Sequence, residues 1–166
     1  MHPIHIILVP YDFTEQAEAA LDLAVTLGEP LEADLHLGFV VHPPSYLYGG
    51  DFLTVSTLQL PDLRADYTRR LQAVADNLRS SVGSDEVHVL EGTRVADSLA
   101  GLAESLHADL ITMGTHGRTG LAPMLHGSVA ERMLRRAPCP VVTVPAHRTG
   151  LQAAAHVAPQ MASRSS

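Results

Sequence analysis

Apolar positions along this chain follow two rhythms. Ile4 to Val9 (I-H-I-I-L-V) is a short, branched, nearly all-apolar run stopped by Pro10, the pattern of a strand buried on both faces of a parallel sheet. Leu35 to Val41 repeats it ahead of Pro43-Pro44, and Glu86 to Leu90 alternates before Gly92. Asp109 to Met113 runs into Gly114, and Val141 to Val144 is bracketed by Pro140 and Pro145. Between these runs the period lengthens to a helical one. Ala17, Leu21, Ala24 and Leu27 recur at intervals of 4, 3 and 3, with Thr14 placed to cap the start and Gly28 to stop the end. Leu63, Tyr67, Leu71, Val74 and Leu78 mark a second helix within Asp62 to Ser80. Leu99, Leu102 and Leu106 mark a third, and Val129, Met133 and Arg136 a fourth.

Strands alternating with helices predict right-handed βαβ crossovers, hence an α/β fold: an open five-stranded parallel sheet with helices on both faces, Rossmann-like in plan. Such sheets bind ligands beyond the carboxyl ends of their strands, where strand order reverses. The residues after the first, second and fourth strands are therefore the candidates. Two stretches break the alternation. Pro43 to Leu60 is a long Pro-, Gly-, Tyr- and Ser-rich connection, of a length that predicts a lid or a mobile loop. Residues 147–166 are small and polar, which predicts a disordered tail after one domain spanning 1–146.

Composition narrows the partners. The 166 residues carry 11 basic and 18 acidic side chains, a net charge of −7, which argues against a nucleic-acid binder. All the basic residues are arginine. The lack of lysine excludes a Walker A phosphate lysine and a pyridoxal Schiff base. No apolar stretch is long enough for a membrane helix, no charged leader precedes Ile4, and the one cysteine, Cys139, has no partner for an intrachain disulfide. A cytoplasmic protein with no membrane role is expected.

After the fourth strand the chain reads Gly114-Thr115-His116-Gly117-Arg118-Thr119-Gly120, and later His126-Gly127-Ser128-Val129-Ala130-Glu131. Glycines 114 and 117 are expected to permit positive φ and close approach to a ligand. Gly127-Ser128 opens the last helix, whose first N–H groups are unpaired and carry the positive end of its dipole. Together they form a polyphosphate cradle that needs no lysine, with Arg118 at its rim. The same residues have a plainer use: Ser128-Val129-Ala130-Glu131 is also a capping box, and glycines also simply make turns. The two uses are compatible, since the backbone can serve a ligand while the hydroxyl caps.

Gly114-x2-Gly117-x9-Gly127-Ser128, with Pro10-Tyr11-Asp12-Phe13-Thr14-Glu15 after the first strand, resembles the nucleotide-binding signature of the universal stress protein family. The resemblance runs from Ile4 to Pro145 and implies the adenine nucleotide alpha hydrolase-like form of the Rossmann-like fold. It also implies an ATP site. Asp12 would lie at the adenosine end beside Pro10 and Tyr11, with Val40, or Val41 one residue on, meeting adenine through its backbone. Met113 and Gly114 would lie beside the ribose, and His116 and Gly117 in the phosphate loop. Gly127, Ser128, Val129 and Ala130 would receive the β- and γ-phosphates. Two positions depart from the family pattern: Ala130 where some binders have threonine, and Gly38-Phe39 where Leu-His is frequent. Charge agrees with this polarity, because an Asp12 carboxylate repels a triphosphate but accepts hydrogen bonds from hydroxyls. Its plain alternative is a turn residue ahead of the Thr14 cap.

The expected function is a regulatory, stress-response ATP-binding module, with Mg²⁺ held, if at all, through the phosphates and water. No residue is singled out as catalytic. Two alternatives stay open: a slow ATPase using His116 or His126, and an interaction module that binds no nucleotide. The strand Val141 to Val144 is expected at a sheet edge, where the resemblance implies a homodimer. The ten histidines show no metal-ligand spacing along a helix, so no metal site is expected. Other α/β chemistries fail on named grounds: Val9 to Thr14 holds no glycine for a dinucleotide fingerprint, and no G-x-S-x-G elbow occurs.

Overall fold

The five apolar runs become five parallel strands in a computed structural model, which describes residues 3–41, 60–78, 85–115 and 129–145. The elements are β1 (Ile6–Pro10), α1 (Glu15–Gly28), β2 (Asp34–Val41), α2 (Leu60–Leu78), β3 (Asp85–Glu91), α3 (Val95–Ser105), β4 (Leu110–Gly114), α4 (Val129–Arg136) and β5 (Val141–Val144), with a short 3-10 turn at Glu29–Leu31 after α1. Strand order is β3-β2-β1-β4-β5. The order reverses between β1 and β4, so the switch point falls where the alternation of elements predicts. β3 and β5 form the two edges.

Alternate residues of each strand feed two cores. Ile7, Val9, Leu35 and Leu37 pack under α1 (Ala17, Leu21, Ala24) and α2 (Leu71, Ala75). Leu8, Ile111 and Met113 pack under α3 (Leu99, Leu102, Ala103) and α4 (Ala130, Met133) on the opposite face. This double burial is why the central strands read as continuous apolar runs rather than alternating ones. Each buried Leu or Ile contributes roughly 1.5–3 kcal/mol of transfer free energy. Gly38 leaves room for α3, since a Cβ there would meet Leu102 Cδ2 at 3.2 Å and Leu99 Cδ2 at 3.3 Å.

Thr14 caps α1 as expected: it sits in extended backbone and its Oγ1 accepts the Ala17 N–H at 3.3 Å. Gly28 differs from expectation. It is a right-handed helical residue at the end of α1, not a left-handed stop, and the chain turns instead at Glu32 (φ 52°) after the 3-10 turn. Gly28 is buried, and a Cβ would touch Leu35 Cδ2 at 3.4 Å, so the residue serves packing. Strand limits shift by one or two residues: β1 starts later and includes Pro10, paired with Gly38 as its last residue, where a missing N–H costs no interior ladder bond. The stretch 43–59 of the expected connection and the expected tail, 147–166, lie outside the described residues.

Candidate functional site

The β1–β4 ladder is short at the point where strand order reverses. The two strands pair at Ile7–Leu110 and Leu8–Ile111, yet β1 continues to Pro10 and β4 to Gly114. On its other side β1 stays in register with β2 through Pro10–Gly38. Open α/β sheets place their ligand cleft at such a switch point, beyond the carboxyl ends of the strands.

Asp12 and Thr14 shape the β1 side of this cleft. Asp12 Oδ1 accepts the Thr14 hydroxyl at 2.6 Å and its N–H at 3.3 Å, so the carboxylate holds a tight turn ahead of α1. Phe13 between them has φ 64°, a left-handed conformation uncommon for an aromatic residue. Ring packing holds it there: Phe13 lies edge-on to Tyr11 (5.3 Å) and Phe39 (5.5 Å), with the Arg70 guanidinium 4.3 Å from its centroid. Tyr11 is buried in the same group, and its N–H donates to the Gly38 carbonyl at 2.8 Å. Burial, with Glu18, Asp12 and Asp22 nearby, raises the Tyr11 phenol above its ordinary pKa. Its side chain therefore belongs to the core, and only its backbone borders the cleft.

Val40 lies one strand over. In a parallel strand both polar groups of a residue point to the same neighbour, and successive residues alternate. The Gly38 carbonyl serves β1, whereas the Val41 carbonyl accepts the Gly92 N–H at 3.1 Å beside β3. Val40 therefore turns its N–H and C=O toward β1, two residues beyond the last β1–β2 pair. Of the two valines, the backbone of Val40 faces the cleft.

Met113 and Gly114 end β4. Met113 is buried under α3 and α4, and Gly114 presses on the first turn of α1. A Cβ on Gly114 would stand 2.6 Å from Gln16 Cβ, and this residue is not in the left-handed region. Its requirement for glycine is close approach, not the positive φ expected from sequence. Val129, exposed, and Ala130, buried, open α4. His116, Gly117, Arg118, Gly127 and Ser128 lie outside the described residues. The structure thus brings Pro10, Tyr11, Asp12, Val40 and Gly114 to one end of the sheet.

Sequence reasoning missed Phe13, Phe39, Tyr67 and Arg70 as a unit, because their contacts cross three elements. It also missed a cluster of His36, Glu86 and His88 on β2 and β3. His36 Nδ1 and His88 Nε2 are 2.9 Å apart, and burial with the neighbouring His36 lowers the His88 pKa. Helical spacing cannot reveal ligands that meet across two strands. Among the described residues no helix is long and apolar enough to cross a membrane.

An open five-stranded all-parallel sheet with its cleft at the reversal of strand order is a Rossmann-like α/β protein. The chain belongs to the universal stress protein family, whose family model matches residues 3–145. Universal stress protein A homolog 1 of Coxiella burnetii is 31% identical over 145 residues, covering 87% of this chain and 97% of that protein. Among solved structures, universal stress protein UspA from Lactobacillus plantarum superposes with a TM-score of 0.73 at 22% identity, covering 87% of this chain and 99% of that one. A universal stress protein from Archaeoglobus fulgidus in complex with dAMP gives 0.56 at 19% identity, covering 86% and 98%. A universal stress protein in complex with cAMP gives 0.59 at 20%, covering 88% and 100%.

Proposed function

We propose that the protein binds an adenine nucleotide, ATP in the first instance, in the cleft between β1 and β4, and acts as a regulatory module in the cytoplasm. The observation that supports this reading is the reversal of strand order between β1 and β4, with Asp12 directly after β1 and the Val40 backbone turned toward β1 beyond its last pair. The adenine edge would bond to the Val40 main chain and the ribose hydroxyls to the Asp12 carboxylate. The phosphates would extend over Gly114 toward Gly117, Gly127, Ser128, Val129 and Ala130, with His116 and Arg118 at the loop. The glycine spacing and the dAMP- and cAMP-bound structures of the same fold support this reading. Mg²⁺ would enter held by phosphates and water. No base is assigned to hydrolysis, so binding and release, rather than turnover, would carry the signal.

Native mass spectrometry of freshly purified protein, followed by calorimetric titration with ATP, tests this. The expected result is one nucleotide per chain. Gly117→Val should abolish ATP binding while leaving the fold intact, because a side chain there would occupy the phosphate space. Undiminished ATP affinity in that variant would show that the site lies elsewhere. A homodimer through the edge strand β5 belongs to the same reading.

A further inference from the structure

We propose that His36, Glu86 and His88 form a binding site for a divalent transition ion of the zinc class, on the α3 face of strands β2 and β3. The three side chains come from adjacent parallel strands. His36 is in register with Glu86, and Gly38 with His88, so all three project from one face of the sheet.

The spacing is that of a coordination sphere. His36 Nδ1 lies 2.9 Å from His88 Nε2, and Glu86 Oε2 lies 3.8 Å from the first and 3.9 Å from the second. A triangle with sides of 2.9, 3.8 and 3.9 Å has a circumradius of about 2.1 Å, and its centre falls inside it. An ion at that point would stand at the length of a zinc–imidazole or zinc–carboxylate bond from all three atoms, about 2.0–2.2 Å.

The chemistry of the donor set fits the same ion. Two imidazoles and one carboxylate satisfy a borderline-soft divalent cation, whereas Mg²⁺ and Ca²⁺ prefer oxygen alone. An ion at that point lies in the plane of its three protein donors, which leaves the positions above and below that plane for water, and the Glu86 side chain is exposed. Without an ion the two facing nitrogens share one hydrogen. On binding, that hydrogen moves to the other nitrogen of its ring, so both imidazoles coordinate as neutral ligands. The ion would fasten the edge strand β3 to β2, independently of nucleotide.

The test is calorimetric titration of tag-free, EDTA-treated, full-length protein with ZnCl2, with cobalt absorption as a second readout. The wild type should take up one Zn²⁺ per chain and show d–d bands of a four- or five-coordinate Co²⁺. Glu86→Gln and His88→Gln should each weaken Zn²⁺ at least tenfold and lose those bands, while His107→Gln changes neither. Glu86 is exposed and His88 partly so, and circular dichroism checks that both variants fold. A wild type that takes up no stoichiometric Zn²⁺ would overturn the proposal. So would equal affinity in His88→Gln and wild type, which would place the ion on other histidines.

Discussion

Gly114, the last residue of β4, packs so closely on Gln16 in the first turn of α1 that a Cβ would lie 2.6 Å from Gln16 Cβ and 3.1 Å from its carbonyl carbon. The neighbour is partly backbone, so it cannot swing aside. This contact joins the two halves of the cleft, one ending in β4 and the other beginning at the Asp12 turn. Gly114→Ala should therefore lower stability by about 1–3 kcal/mol, read as an earlier urea midpoint. Gly101 in the interior of α3 supplies the contrast, since nothing lies within 4 Å of its added Cβ. Gly101→Ala should raise stability by about 0.5–1 kcal/mol through helix propensity.

Asp12 has two separable duties. It accepts both Thr14 bonds through Oδ1, and it is proposed to accept the ribose hydroxyls through its charge. Asp12→Asn keeps an oxygen for Thr14 but removes the charge. Stability should move by less than ~0.5 kcal/mol, while ATP affinity falls about tenfold, the difference between a charge-assisted and a neutral hydrogen bond. Thr14→Ala should reverse the pattern: about 1 kcal/mol of stability lost with the cap. Urea titration and calorimetry on the same samples separate the two.

Cys139 is half-buried at the entry to β5, and burial, with Asp109 beside it, raises its pKa. Only the thiolate reacts, so at pH 8 a disulfide reagent should modify it more slowly than a free cysteine. Its rate should keep rising at pH values where free cysteine has levelled off. The same shift sets the sign for stability. The folded protein favours the protonated thiol, so this contribution is present at neutral pH and lost as pH rises through the folded value.

β5 is an edge strand with Val142 exposed. If two copies pair there, sedimentation equilibrium at micromolar concentration should report a dimer, and Val142→Asp a monomer. A wild-type monomer would remove the dimer from the account.

Much of this is legible in the amino-acid sequence alone. The runs ending at Pro10 and Gly114 locate their strands because burial on both faces makes them continuously apolar, and the alternating run before Gly92 locates an edge strand. Thr14 announces its cap through chemistry local to a few residues. Gly28 misleads because glycine serves close packing as readily as left-handed turns, and only the Leu35 contact tells them apart. Gly114 misleads in the same way, through Gln16. The His36–Glu86–His88 cluster and the Phe13 ring group depend on which strands and helices become neighbours, which no local spacing encodes.

The most direct test is a crystal structure grown with excess ATP. Density should place the adenine edge against the Val40 main chain, the ribose at Asp12, and the phosphates over Gly114 toward the start of α4. Nucleotide density at another surface, or none at saturating ATP, would contradict the account.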